Sequence, residues 1–379
     1  MKFIHLSDLH IGKRVNEFSM LEDQQYILVK ILNAVDQERP DAVLICGDVY
    51  DKSVPSADAV QLFDDFLVKL AERKVATFVI SGNHDSPERL AFCNRLINLS
   101  RIYISPVYEG KVDPIVLSDD LGTVNVYMLP FVKPVNVRKY FPDENVTSYT
   151  DALRVALEGM NVDKSARNVL LTHQFVTGAE RSDSEEISVG GSDNVDHEVF
   201  KDFDYVALGH IHRPQNISSE RIRYCGTPLK YSFSECDHEK SITVVELQEK
   251  GKLKVSTIPL VAKHDMVKLK GTYDQLTFKG FYANTNYQED YVHITLTDED
   301  DIPDVMAKLR VIYHNLMSIS YDNKRTRHIA QLNCSKDVEN KSPLQLFGEF
   351  YEKQNGVEMT KVQEKFVSEL IESIWEGER

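Results

Sequence analysis

The chain has 379 residues, which at about 150 residues per domain allows two or three domains and at least one large core. Hydrophobic residues make up 42% and charged ones 27%, a balance that excludes a fibrous or disordered chain. The 59 acidic residues outnumber the 44 Lys and Arg, for a net charge of −15. That argues against holding nucleic acid by bulk charge, but leaves room for a local basic groove, a metal-lined cleft or a basic partner.

The five cysteines, Cys46, Cys93, Cys225, Cys236 and Cys334, are odd in number and lack C-x-x-C spacing, as expected of free thiols in a reducing compartment. The N-terminal residues carry no signal-peptide pattern, and no apolar run reaches about 18 residues. A cytoplasmic protein with no membrane contact is expected.

Residues 2–6, 42–46 and 75–81 read as strands, each followed by a loop and a helical pattern. Segments 20–38 and 56–72 space apolar residues by three and four, as in Val60, Phe63, Leu67 and Leu70. Ser86-Pro87 looks like the cap and first position of a helix. Strand–helix alternation predicts an α/β sheet with helices on its outer face. From residue 112 the strands come closer together, at 124–129, 168–172, 204–208, 221–225, 241–247 and 253–258, with a helix at 148–157. A second sheet packed on the first would give a four-layer helix–sheet–sheet–helix sandwich.

The pattern changes near 259–264. Strands at 265–270 and 291–296 and a helix at 303–314 describe a small α+β unit. A polar linker follows at 335–342, then amphipathic helices at 343–354 and 360–376. The expected units are therefore 1–262, 263–334, the linker 335–342 and the helix pair 343–379. The helical stripes, Leu344, Phe347, Phe350 and Tyr351, then Val362, Phe366, Leu370 and Ile374, need a partner surface, either the chain's own body or another protein.

Polar residues at the predicted strand ends carry the chemistry. Asp8-Leu9-His10 follows the first strand, and in extended chain residues i and i+2 share a face. Gly47-Asp48 follows the second, Gly82-Asn83-His84-Asp85 the third, and His173 and Gly209-His210-Ile211-His212 two later ones. Any one of these is commonly structural. Five successive strand ends with oxygen or nitrogen ligands are not, because the carboxyl ends of strands are where ligands collect in α/β sheets. An oxygen–nitrogen set without cysteine suits Mn, Fe or Zn, and the imidazoles count against Mg alone. Seven candidate ligands suit two ions sharing a bridge. His5, between Ile4 and Leu6, reads instead as a core histidine.

In this order the motifs resemble the calcineurin-like metallophosphoesterase superfamily. A narrower resemblance, to the SbcD family of bacterial nuclease subunits, rests on the run from Phe3 to Lys13, Gly47-Asp48-Val49-Tyr50-Asp51, Gly226-Thr227-Pro228 and Phe233-Ser234-Glu235. It implies that Asp8, His10, Asp48 and His212 hold one metal, and that Asp48 bridges to a second held by Asn83, His173 and His210. His84 is implied to stabilise or protonate the leaving group. Asp51 stands where archaeal and eukaryotic relatives carry a second histidine; its carboxylate either orients His84 or is a loop or cap residue.

The resemblance further implies two divalent ions, Mn2+ above all, and 3′→5′ double-strand exonuclease and endonuclease activity on DNA ends and hairpins in repair and recombination. It implies an SbcC-like ATPase whose coiled coil receives the helix pair, an α+β unit that caps the active site and helps to bind DNA, and a homodimer within a heterotetramer. Lys13, Arg14 and Arg89 are candidate contacts to the DNA backbone, against the alternative of solvated surface charges. A small-molecule phosphatase or cyclic-nucleotide phosphodiesterase would use the same cradle. A non-catalytic assembly scaffold is the third reading, disfavoured because every expected ligand is present.

Overall fold

The computed structural model describes residues 1–182, 185, 193–324, 342–355 and 357–377. The chain opens with β1 (Lys2–Leu6) and a two-stranded ribbon, β2 (Arg14–Val15) and β3 (Phe18–Ser19). β4 (Ala42–Cys46), β5 (Ala76–Ile80) and β6 (Ile102–Ile104) lie parallel to β1 in the order β1-β4-β5-β6. Six strands then make a second sheet: β7 (Ile115–Asp119), β8 (Gly122–Leu129), β9 (Arg167–His173), β10 (Tyr205–Gly209), β11 (Gln215–Ile217) and β12 (Ser219–Tyr224). Their spatial order is β11-β12-β10-β9-β8-β7, and β8, β9, β10 and β12 run parallel. β13 (Ser241–Leu247) and β14 (Leu253–Pro259) return to the first sheet as an antiparallel extension beyond β1.

Alternation along the strands assigns the faces. Ala42, Leu44, Cys46, Phe78 and Ile80 share an inter-sheet layer with Val124, Val126, Val169, Leu171, Tyr205 and Ala207. Val43, Ile45 and Val79 turn the other way, onto helices Leu21–Glu38 and Ala57–Glu72 through Ile31, Leu32, Phe63 and Phe66. Leu170, Val206 and Leu208 likewise meet Leu153 and Ala156 of the helix Tyr149–Glu158. Burial on both faces is why the parallel strands read as unbroken apolar runs such as Ala-Val-Leu-Ile-Cys. The four-layer sandwich expected from the sequence is the fold observed.

Ser86 caps the helix Pro87–Leu90 as expected, accepting the Arg89 N–H, but that helix is a single turn. Edge strands β6 and β11 escape the sequence pattern because they are only three residues long, and β7 because its apolar run stops after Ile115, Val116 and Leu117. β15 (Met266–Gly271), β16 (Tyr291–Leu296) and β17 (Asn315–Tyr321) form a separate parallel sheet. The helix expected over 303–314 is reduced to Val305–Arg310, and the chain beyond it becomes β17. This third sheet seats Met266, Tyr291 and Met317 against Met20, Ile27, Leu229 and Tyr231 of the sandwich.

Helices Pro343–Asn355 and Lys361–Gly377 pack on each other. Most of the expected linker, 335–341, and Cys334 lie outside the described residues, as does the side chain of Ile374. The four described cysteines are free thiols. No helix among the described residues is long and apolar enough to cross a membrane.

Candidate metal centre

β1 and β4 are parallel neighbours, and the loops beyond them stay in register. Asp8 N–H donates to the Gly47 carbonyl (3.0 Å), His10 N–H to Asp48 (2.9 Å) and Ile11 N–H to Val49 (2.9 Å). This lays Asp8 and His10 beside Asp48. The loop after β5 is tied in by Asp85, whose buried carboxylate accepts the N–H groups of Gly82 (2.9 Å), Val49 (3.1 Å) and Tyr50 (2.9 Å). The second sheet meets the same point: His210 N–H donates to both Asp8 carboxylate oxygens (3.0 and 3.1 Å). Two glycines make the approach possible. A Cβ on Gly82 would lie 2.1 Å from Asp48 Oδ1, and one on Gly209 would lie 1.9 Å from the Cys46 carbonyl.

The backbone here is strained. Asp8 (φ 52°), His10 (φ 44°), Asp48 (φ 49°) and His210 (φ 101°) all have positive φ, uncommon for residues with a side chain and concentrated at functional sites.

The expected ligands gather around Asp48. One ligand atom from each of Asp8, His10 and His212 lies within 4.8 Å of the others, and the same holds for Asp8, Asp48 and His173 and for His10, Asp48 and His84. Asp48 Oδ1 accepts the His84 N–H (2.9 Å), leaving Oδ2 facing His173 Nε2 (3.3 Å), His10 Nε2 (3.8 Å) and His84 Nε2 (4.0 Å). Asn83 Oδ1 sits between His173 Nε2 (2.9 Å) and His210 Nδ1 (3.0 Å). The structure thus brings together all seven residues.

The hydrogen-bond roles show which way the ring nitrogens of this cluster are turned. His173 Nδ1 lies 2.8 Å from the Cys46 carbonyl, which only accepts, so Nδ1 carries the hydrogen. A neutral ring then turns an Nε2 lone pair toward the oxygens of Asp48 and Asn83. His212 Nδ1 faces the Glu235 carboxylate (3.2 Å), which leaves its Nε2 lone pair against His10 Nε2 (3.2 Å). His10 Nδ1 is buried without a hydrogen-bond partner. Ring nitrogens and oxygens that converge in this way form a donor set of carboxylates, an amide oxygen and imidazoles, which fits divalent transition ions.

Burial and pairing set the charges in the metal-free protein. Burial holds His10 and His210 well below the ordinary histidine range, so both are neutral. Burial raises the Asp8 carboxyl to about 6. Burial would also raise Asp48, but His173 pulls it well below the usual carboxylate range. For His173 burial works downward, and the Asp48 charge more than offsets it, raising the ring to about 9. His5, outside the cluster, is pushed by burial to about 3 and bonds Tyr205 Oη (2.9 Å) and the Leu208 carbonyl (3.2 Å), the core histidine expected.

The supporting roles of several groups are absent from the sequence reading. Glu235, fully buried, spans His212 Nδ1 and Lys240 Nζ (2.5 Å), and Lys240 also donates to the His212 carbonyl (2.9 Å) and Thr227 Oγ1 (2.6 Å). Glu185 accepts the His212 N–H (2.7 Å). Glu235 and Thr227 are visible as motif residues, but nothing local announces a contact with a histidine so far back in the chain.

Asp51 calls for a revision. The bond to His84 Nδ1 (3.0 Å) comes from its backbone carbonyl, while its carboxylate takes Lys13 Nζ (2.7 Å). Lys13 is therefore a partner of Asp51 that also lies over the Tyr231 ring. Arg14 and Arg89 are exposed; Arg14 donates to the Glu17 carbonyl.

A family model described as Calcineurin-like phosphoesterase matches residues 1–214. Over 386 aligned residues the chain is 32% identical to the SbcD subunit of the SbcCD nuclease of Staphylococcus epidermidis, covering all of both chains. The chain belongs to the SbcD family. A second member of that family, from Staphylococcus saprophyticus, is 32% identical over 384 residues, 99% of each chain. A model described as Type 5 capsule protein repressor C-terminal domain matches residues 262–355. A Thermus thermophilus protein of known crystal structure aligns with TM-score 0.39 and 15% identity over 68% of this chain and 98% of its own, too distant to bear on the site.

The raised groups set a pH dependence for the metal-free protein. A folded pKa above the unfolded one contributes stability at low pH that is lost as pH rises through the folded value. With His173 raised from an ordinary 6.5 to about 9, stability in EDTA should fall between about pH 6.5 and about pH 9. Urea midpoints across that range check this, and a flat or rising midpoint would contradict it.

Proposed function

We propose that the chain is the nuclease subunit of an SbcCD-type complex, a cytoplasmic DNA phosphodiesterase that uses two divalent ions, Mn2+ by preference. The observation that carries this reading is the convergence of oxygen and nitrogen acceptors on Asp48 in a chain that aligns end to end with SbcCD nuclease subunits. Asp8, His10, Asp48 and His212 would hold one ion, and Asp48, Asn83, His173 and His210 the other. When bound, the pair supplies a nucleophile at neutral pH by lowering the pKa of water and offsets charge gathering on the phosphate.

The chain's own groups do the rest. His173 and His212 are locked in orientation by the Cys46 carbonyl and Glu235. His84 is partly exposed and keeps Nδ1 on the Asp51 carbonyl. Its Nε2, 4.0 Å from Asp48 Oδ2, would hand a hydrogen bond or proton to the departing sugar oxygen from the doubly protonated ring. Asp51 thus serves His84 through its main chain and Lys13 through its side chain. For the DNA backbone we assign the exposed Arg14 and Arg89, with Lys13 contributing only while paired to Asp51.

The proposed units are 1–262, 263–334, the linker 335–342 and the helix pair 343–379, in keeping with the change of sheet between Pro259 and Met266. The α+β unit would cap the cleft and help to select DNA. Phe347, Phe350, Phe366 and Leu370 are exposed, with Leu344 and Tyr351 half-buried. A stripe that the described residues leave open to solvent favours docking on the coiled coil of an SbcC-like ATPase. Phe92, Leu96 and Leu99 are 78%, 69% and 88% exposed on a turn and the short helical stretch after it, which favours a homodimer within the heterotetramer.

With Mn2+, the purified chain should shorten labelled duplex DNA and leave a cyclic nucleotide intact. His84→Gln should lower cleavage by about 100-fold or more while still taking up metal. Cyclic-nucleotide turnover beside intact DNA would overturn the substrate assignment, and normal cleavage by the variant would remove His84 from the chemistry. A chain ending at Lys341 should keep its fold and metals but fail to co-purify with the ATPase; an intact complex would refute the docking role.

A further inference from the structure

The loop from Asp8 to Gly12 holds three of its five residues at positive φ: Asp8, His10 and Gly12 (φ 90°). Such a loop persists only where its surroundings over-determine it. One side is supplied by the N–H groups of Asp8, His10 and Ile11, which bond the loop after β4. The other side is supplied chiefly by Gln24 and Tyr231. Gln24, buried in the first turn of the helix Leu21–Glu38, accepts the Gly12 N–H on Oε1 (2.9 Å) and donates Nε2 to the His10 carbonyl (2.7 Å) and the Tyr231 hydroxyl (3.0 Å). Tyr231 in turn donates to the Leu9 carbonyl (2.5 Å), and its ring stands edge-on to His10 with centroids 5.7 Å apart.

We propose that Gln24, with Tyr231, is the positioning residue that holds His10 in place and so sets the affinity of the ion shared by Asp8, His10, Asp48 and His212. The inference rests on the two-ion reading above and deepens it. A primary amide suits the position because the loop presents a donor at Gly12 and acceptors at Leu9 and His10, and only a side chain with both functions meets them together. The clamp is anchored at its far end as well. The neighbouring residue Asp23, also buried, accepts from Tyr291 Oη (2.7 Å) and His264 Nδ1 (3.0 Å). The helical turn that grips the His10 loop is therefore fastened to the third sheet.

The test is a Mn2+ titration of the full chain followed by the EPR signal of free Mn2+, with unfolding midpoints measured in EDTA. Gln24→Glu keeps the acceptor for Gly12 and removes the bonds donated by Nε2; Tyr231→Phe keeps the ring and removes the hydroxyl. Each should weaken one of the two ions by about tenfold or more and leave the other unchanged. A lowered midpoint with both affinities intact, or equal weakening of both ions, would reduce Gln24 to general packing and overturn the proposal. Asp48→Asn serves as the control on the underlying reading. A wild-type chain that binds fewer than two ions, or an Asp48→Asn chain that still binds both tightly, would overturn the two-ion reading itself and the proposal with it.

Discussion

The convergence of ligand nitrogens and oxygens on the buried Asp48 is the constraint around which the molecule is organised. His173 and His212 each carry a hydrogen outward, to the Cys46 carbonyl and to Glu235, and so aim lone pairs inward at Asp48, Asn83 and His10. Without cations this arrangement forces a proton onto His173, next to the Asp48 charge, with the ring raised to about 9. The fold accepts that cost in several ways at once. It places non-glycine residues at positive φ, keeps Gly82 and Gly209 where any Cβ would collide, and braces the β5 loop with the carboxylate of Asp85. Local strain tolerated for a charge arrangement is the pattern of a preorganised site.

The supporting layer is as specific as the ligands. Glu235 joins His212 to Lys240 in a group with almost no solvent access. Burial would raise Glu235, but His212 and Lys240 hold it below the ordinary carboxylate range. It therefore stays charged where it can orient an imidazole, and removing one member would strand the other, a loss of about 3–5 kcal/mol. A net charge of −15 is no obstacle to a phosphate substrate under the proposed arrangement, in which the attraction would be local to the cations and to Arg14 and Arg89.

Much of this is legible in the sequence because it depends on residue type at a strand end. Asp8, His10, Asp48, Asn83, His173, His210 and His212 follow apolar runs that only a doubly covered parallel sheet explains, and the four-layer sandwich follows from the same runs. What stays hidden depends on contacts between distant segments or on the main chain. Asp51 acts on His84 through a carbonyl, a group every residue has, so its side chain suggests the wrong contact. Lys13 reads as a solvated cation until Asp51 is seen beside it. Gln24 lies within an amphipathic helix whose polar positions are mostly solvated, and nothing in the spacing marks it as buried. β17 is hidden for a different reason: the helical pattern before it continues smoothly past Arg310, and only pairing with β16 turns the chain extended.

Anomalous diffraction at the manganese edge from crystals soaked in Mn2+ would test the account most directly. Two peaks flanking the Asp48 carboxylate are predicted, one near Asp8, His10 and His212 and the other near Asn83, His173 and His210. A single peak, or none beside Asp48, would contradict it.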